Sequence, residues 1–211
     1  MKCQNIPGIV LIGGGGHCKA CIDVIEQESK YKIAGIVDTP KKLRRKVLGY
    51  EIIANDNDLE HMKEQYKFFL ITLGQLKSPE KRINLFNELQ QLKVEMPIIK
   101  SPLAYVSKHA HVGEGVIIMH HAVVNAGAHI GKNCIVNTKA LIEHDAVVED
   151  HCHISTGAIV NGGVIVGTGA FLGSNSVIKQ SIQIGRNSIV GIGVTVRENV
   201  QPGDLMRSDN G

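Results

Sequence analysis

Between Leu141 and Ser155 the sequence LIEHDAVVEDHCHIS carries three histidines (His144, His151, His153) and four acids (Glu143, Asp145, Glu149, Asp150). Two chemistries use such a set. Three or four of these side chains placed about 2 Å from one point would hold a zinc ion. A single histidine beside a carboxylate makes a general base with its orienting acid. A second concentration is the run IGGGGHC, Gly13 to Gly16 followed by His17, directly after the apolar GIVLIG. Glycine clusters after a strand open dinucleotide-binding folds. Gly13 and Gly15 satisfy the first two positions of GxGxxG, Cys18 occupies the third, and Asp38 follows at about the distance of a ribose-binding acid. An NAD-dependent oxidoreductase would fit that segment, but the chain has no second catalytic domain for hydride chemistry.

The elements that must position these residues change character near residue 100. Residues 8 to 100 alternate strands and helices: GIVLIG, the helically spaced HCKACIDVIEQ, the strands KIAGIVD and FFLITLG, and SPEKRINLFNELQQL with Ser78 as N-cap and Pro79 in the first turn. This predicts a small βαβ domain with a parallel sheet over residues 1–102. Cys18 and Cys21, an isolated CxxC, read as helix packing.

From Val106 to Val196 every sixth residue is Val, Ile or Leu, sixteen positions without an insertion. Four residues after each comes Ala, Cys or Ser at 11 of the 16. A hexapeptide repeat means short parallel strands and tight turns stacked into a β-helix over residues 103–211, with the aliphatic and small side chains inside. Three hexapeptides make one triangular coil, so residues 18 apart stack at the ~4.8 Å strand spacing. Cys134 and Cys152 are such a pair and read as reduced core residues.

This register divides the opening cluster. His144 and His151 fall in turns, and His153 faces outward from a flat side. His144 and His153 are one and a half sides apart and cannot converge within one subunit, which argues against a metal site in a monomer. His151, with Glu149 and Asp150, reads as exposed turn surface. His144 has an acid on either side, Glu143 and Asp145, and Gly162 stacks on it one coil later, where a bare N–H could approach a ligand closely. General base, orienting acid and oxyanion donor are the parts of acyl transfer.

Composition sets further bounds. The 211 residues include 23 Gly and no Trp, and the formal charge of +3, with Lys and Arg dispersed, speaks against nucleic-acid binding. No segment approaches the ~20 apolar residues of a membrane span, no signal peptide is evident, and five cysteines without a disulfide framework fit a reducing compartment. The expectation is a cytoplasmic protein that contacts neither nucleic acid nor membrane.

The GGGGH loop, the small βαβ domain, the hexapeptide β-helix and NTKALIEHD together resemble the bacterial nucleotide-sugar acetyltransferases, closest to those acting on UDP-linked 4-amino-sugars. The resemblance covers nearly the whole chain and implies a left-handed parallel β-helix. It implies an acetyl-CoA-dependent N-acetyltransferase that works by direct transfer, without a metal, as a homotrimer with intersubunit active sites, in bacterial surface glycan or glycoprotein synthesis. His144 matches the catalytic base, Asp145 (or Glu143) the residue orienting it, and Gly162 the oxyanion donor. Gly13, Gly14, Gly15, Gly16, His17, Asp38, Gly74 and Asn137 are then expected to bind the nucleotide-sugar.

His153, reaching in from a neighbouring protomer, with Gly162, Gly163, Gly173 and Gly191, is expected to line the acetyl-CoA groove, with Lys179, Arg186 and Arg197 as phosphate partners. The end, QPGDLMRSDNG, departs from the Pro-Ala segment and basic tail common in the family. The β-helical carbonic anhydrases, which this chain resembles in the helix, use a histidine pair with four residues between its members, and no two histidines here have that spacing. Alternatives are O-acetylation of a sialic-type acid, a GDP-linked 4-amino-sugar as acceptor, and a non-catalytic nucleotide-sugar-binding scaffold.

Overall fold

The computed structural model describes residues 6–207; Ser208 to Gly211, the last part of the atypical tail, lie outside the described residues. Strand β1 (Gly8–Ile12) lies between β2 (Lys32–Asp38) and the edge strand β5 (Phe68–Ile71) in a five-stranded sheet that also holds β3 (Lys46–Val47) and β4 (Tyr50–Asn55), in the order β3-β4-β2-β1-β5. All pairings are parallel except the short β3–β4 hairpin. Sequence reading did not anticipate this hairpin or helix α2 (Leu59–Gln65), because that stretch mixes charge and short apolar runs without a clear period.

Helix α1 (Gly16–Glu28) follows β1 through the glycine loop. Its apolar residues recur three and four apart, so Cys18, Cys21, Ile22, Val24 and Ile25 are all buried on one face. Each such Val or Ile contributes ~1.5–3 kcal/mol by leaving water. Helix α3 (Glu80–Gln91) starts one residue after the expected Pro79, and the Ser78 hydroxyl accepts the Glu80 N–H at 3.1 Å.

The second half is a three-sided prism. Its two-residue strands form three parallel sheets in which strands up to Thr195–Val196 pair with those 18 residues away, as Leu141 does with Val123 and Ile159, while the last strand, Leu205–Met206, pairs with Ile189–Val190 at an offset of 16. From Ile118 to Val196 the sixth-residue aliphatics are 0–2 % exposed and form one continuous core with Ala122, Cys134, Cys152 and their repeats. Cys134 and Cys152 are free thiols, with the Cys152 N–H donated to Cys134 Sγ at 3.4 Å.

The turns share a backbone signature. Every sixth residue from Gly115 to Gly193 has positive φ, including His121, Asn133, Lys139, Asp145, His151 and Asn175. Glycine, and to a lesser degree Asn and Asp, adopts this left-handed conformation without the ~1–2 kcal/mol cost other residues meet. Asp145 and His151 are therefore turn-corner residues of equivalent repeats.

Strand β6 (Ile99–Lys100) already pairs with Ile117–Ile118 of the prism, so the expected division at 102/103 falls inside the first coil. Prism residues Ile117, Met119 and Ile135 share one core with Cys18, Cys21, Ile22 and Ile25 of α1, which joins the two halves through one prism face. At the same junction the buried Arg82 of α3 donates from Nη1 to Leu73 O at 2.6 Å. Its Nη2 donates to Asn133 O at 2.8 Å and Oδ1 at 2.7 Å. Asn133 in turn donates to His151 Nδ1 at 3.0 Å, and the His151 ring meets Phe86 edge-on at 5.3 Å. This corrects the expectation for His151: it is half-buried in the domain junction, because α3 covers its corner. Among the described residues no helix is long and apolar enough to cross a membrane.

Candidate active site

The expected site residues gather in two places. The first is a cavity of about 700 Å³ between the α/β half and the prism, where Gly15, Gly16, His17 and Gly74 face Asn137 and His153. His153 does point outward from its prism side, but the domain docked there leaves it 5 % exposed, which corrects the expectation of an open flat face. Its Nδ1 lies 2.7 Å from Gln75 O. A carbonyl can only accept, so Nδ1 carries the proton and Nε2 is an acceptor. The Asn137 amide completes the arrangement: Oδ1 takes the Thr138 N–H at 2.8 Å, which turns Nδ2 toward His153 Nε2 at 3.2 Å.

His17 lies on the facing wall, its ring 6.3 Å from that of His153, with Nε2 shielded from solvent and without a hydrogen-bond partner among the described residues. Burial, then the neighbouring His153 and Arg82, lowers the His17 pKa to about 3. Burial likewise takes His153 to about 4, against the raising effect of Gln75 O. Both rings are neutral near pH 7.

Gln75 and Ser155 also line the cavity and were not read from sequence. Gln75 Nε2 donates to Gly169 O at 3.0 Å, which stitches the cavity wall to the prism. Nothing local in GQLKS signals that role, since it depends on which coil the loop meets.

The remaining loop residues act one step behind the cavity. Gly13 has φ +104°, and a Cβ there would come 2.5 Å from Leu73 Cδ2. The Gly14 N–H donates to Asp38 Oδ2 at 2.8 Å, Thr39 N–H to Oδ1 at 2.7 Å and Lys42 Nζ to Oδ2 at 2.8 Å. Burial raises the Asp38 carboxyl, but the bonds from Lys42, Thr39 and Gly14 outweigh it and hold the pKa below the ordinary value. Asp38 thus clamps the glycine loop and does not line the cavity.

The second place is the exposed corner at His144, which does not share a lining residue with that cavity in one chain. His144 Nδ1 is 2.9 Å from Asp145 Oδ2. Glu143 Oε2 instead accepts the His144 backbone N–H at 3.3 Å and Asn125 Nδ2 at 2.8 Å, so of the two candidate acids it is Asp145 that meets the ring. A carboxylate accepts, which leaves Nδ1 protonated and Nε2 basic. The bond to Asp145 raises the His144 pKa above its usual value. Nε2 lies over Gly162, where a Cβ would be only 2.7 Å away. Asp145 is seated in the same manner, since a Cβ on Gly127, one coil before it, would overlap its Oδ1.

Gly163 is a positive-φ corner where a Cβ would meet Ser181 Oγ at an ordinary contact distance of 3.5 Å. A Cβ at Gly173 would sit 2.6 Å from the Gly191 carbonyl carbon, and one at Gly191 3.0 Å from Met206 O. Close coil stacking is therefore a sufficient reason for these two glycines. Among the described residues no cluster of three or more His, Cys, Asp or Glu is placed to hold a metal ion.

This geometry has counterparts. Residues 8–89 match the PglD N-terminal domain family, residues 145–180 the bacterial transferase hexapeptide family, and residues 163–198 the hexapeptide repeat of succinyl-transferase. No curated protein sequence matches the chain significantly. Among solved structures, the chain is similar along nearly its whole length to perosamine N-acetyltransferase from Caulobacter crescentus, a histidine-to-asparagine mutant in complex with CoA and GDP-perosamine. It is 31% identical, with a TM-score of 0.89 over 95% of this chain and 93% of that one. The acetyltransferase domain of PglB from Neisseria gonorrhoeae, in complex with acetyl coenzyme A, is 25% identical, with a TM-score of 0.86 over 94% of each chain. WeeI from Acinetobacter baumannii, at 22% identity and a TM-score of 0.86 over 96% of this chain and 97% of that one, shares the fold. With its small α/β domain and left-handed parallel β-helix, the chain belongs to the nucleotide-sugar acetyltransferases of the hexapeptide-repeat superfamily and is an acetyltransferase.

Proposed function

We propose that this protein uses acetyl-CoA to acetylate the amine of a nucleotide-linked 4-amino-sugar, with His144 as general base. The observation that carries the reading is the His144–Asp145 pair, whose free Nε2 is held over the bare backbone of Gly162. The sugar amine attacks the thioester carbonyl while His144 Nε2 takes its proton. Asp145 keeps the proton on Nδ1 and stabilises the imidazolium. The Gly162 N–H donates to the developing oxyanion, and collapse releases the CoA thiolate, which is protonated by His144. Every proton is returned, and no covalent enzyme intermediate forms.

The glycine loop, with the α1 N-terminus behind it, suits the diphosphate of the acceptor. The neutral His17 and His153 suit its sugar end. In one chain the dyad and the cavity are separate half-sites, which supports a homotrimer in which His144 of one protomer faces the cavity of the next. UDP is the first nucleotide to test, and the GDP-perosamine complex of the 31% identical relative favours GDP as the second. Incubation with acetyl-CoA and a panel of UDP- and GDP-4-amino-sugars and free sialic-type acids should give N-acetylation of one nucleotide-sugar; turnover of the free acids alone would refute the reading. Mixing His144→Ala with His17→Ala subunits should restore activity in hybrid trimers, and no restoration would refute the shared site.

A further inference from the structure

Five of the chain's 23 Lys and Arg lie within residues 41–46 (Lys41, Lys42, Arg44, Arg45, Lys46), and the other 18 are outnumbered by 20 acids. The expectation of uniformly dispersed cations is thus corrected at one place, where five of them are concentrated. It occupies the segment leading into the β3–β4 hairpin. Arg44 and Ile52 are joined by an N–H···O bond of 2.9 Å, and Ile52 and Arg45 by one of 2.8 Å. The backbone that carries the cations is therefore fixed. Lys42 is paired with Asp38 at 2.8 Å, while Lys41, Arg44, Arg45 and Lys46 are exposed and have no carboxylate within salt-bridge distance among the described residues. Glu51 is the only acid from Thr39 to Asn55.

Two leucines stand among these charges with nothing to cover them: Leu43 is 40 % exposed and Leu48 58 %. Leu48 and Gly49 form the two-residue turn between Val47 and Tyr50, with φ of +47° and +90°. The first position of such a turn is suited to Asn, Asp or Gly, so a bulky apolar residue there is an outlier both in backbone and in exposure. Strain retained at an exposed tip points to a use for that side chain. A phosphate subsite does not fit: none of the five cations lines the cavity, and they are strung along an edge without converging.

We propose that the β3–β4 hairpin is a peripheral docking surface for an anionic phospholipid membrane. The cations approach the headgroups, and Leu43 and Leu48 insert at the interface. This differs from the membrane span that the sequence argued against, since it needs no apolar segment.

The test uses the purified full-length protein and vesicles of phosphatidylcholine alone or mixed equally with phosphatidylglycerol, with binding read by co-sedimentation. The wild type should partition into the anionic vesicles about tenfold or more above the neutral ones. Lys41→Gln, Arg44→Gln, Arg45→Gln and Lys46→Gln combined should abolish that preference. Leu48→Asn, which relieves the turn and so keeps the fold, should weaken binding several-fold and leave acetyl transfer in solution unchanged. Equal partitioning into both vesicles, or none into either, would overturn the proposal, the latter leaving the patch to an acidic protein. So would a quadruple variant that binds anionic vesicles normally but has lost affinity for the nucleotide-sugar.

Discussion

The imidazole of His144 lies across the Cα of Gly162, one coil further along, so close that a Cβ at residue 162 would stand 2.7 Å from both Cε1 and Nε2. Gly162→Ala should therefore turn the ring away from its working rotamer. The expected loss in kcat is about 10²-fold, with little change in nucleotide-sugar affinity, as measured by steady-state kinetics beside calorimetric binding.

Asp145 raises the His144 pKa by accepting the Nδ1 proton, and a general base is active only when unprotonated. The kcat/KM profile should fall as pH drops through a value above the ordinary histidine pKa of ~6.5. In Asp145→Asn that limb should move to lower pH while the plateau falls. A limb that stays in place would separate Asp145 from the titrating group.

Gly127 offers a second route to the same pair, because a Cβ there would overlap Asp145 Oδ1. Its φ of +75° lies in the left-handed region that His121 (+59°) and Asn133 (+52°) also occupy at equivalent corners, so the coil tolerates a side chain. Gly127→Asn should fold, lose roughly tenfold in kcat, and shift the pH limb as Asp145→Asn does. Normal kinetics would show that the carboxylate has another seat.

His17 and His153 have pKa values of about 3 and about 4 in the folded protein, below the unfolded ~6.5. The unfolded chain binds more protons as pH falls below 6.5, so stability is full above that value and is lost down to the folded values. At pH 5 each ring accounts for about 2 kcal/mol of that loss. His153→Gln should flatten the decline of Tm between pH 6.5 and 4, as followed by thermal denaturation.

Among the described residues the buried Arg82 has no carboxylate partner and relies on the oxygens of Ile71, Leu73 and Asn133. Asn133→Ala removes one acceptor, the side-chain Oδ1, and also unpairs His151 Nδ1. A destabilisation of about 2–3 kcal/mol is expected in urea unfolding, with the cavity wall at Leu73 loosened. No change in the midpoint would mean that water replaces the amide.

The prism was legible because its pattern is strictly local. Sixth-residue aliphatics such as Ile142 and Val160 define inside and outside wherever they occur, and that sufficed to separate His144 from His153. The covering of His153 and His151 was not legible, since it depends on where the α/β half docks, and the residues that set this docking, Ile117, Ile135 and Arg82, lie on three separate elements. The turn corners carried a readable signal in their Gly and Asn content, but at Asp145 the backbone requirement and the chemistry fall on one residue and resemble only the chemistry. The basic hairpin was lost in an average taken over the whole chain.

The unbroken six-residue period also restricts how this site can change. Each hexapeptide sets its own inside and outside, so the repeat grows or shrinks by whole sides of six residues, and between Val106 and Val196 a residue returns to its side of the prism after a full coil of 18. The height of His144 along the prism can thus be reset only in steps of about 4.8 Å. Fitting a bulkier or smaller acceptor sugar must therefore come from the cavity walls at Gly74, Gln75 and Asn137, with the base staying where the coil count puts it.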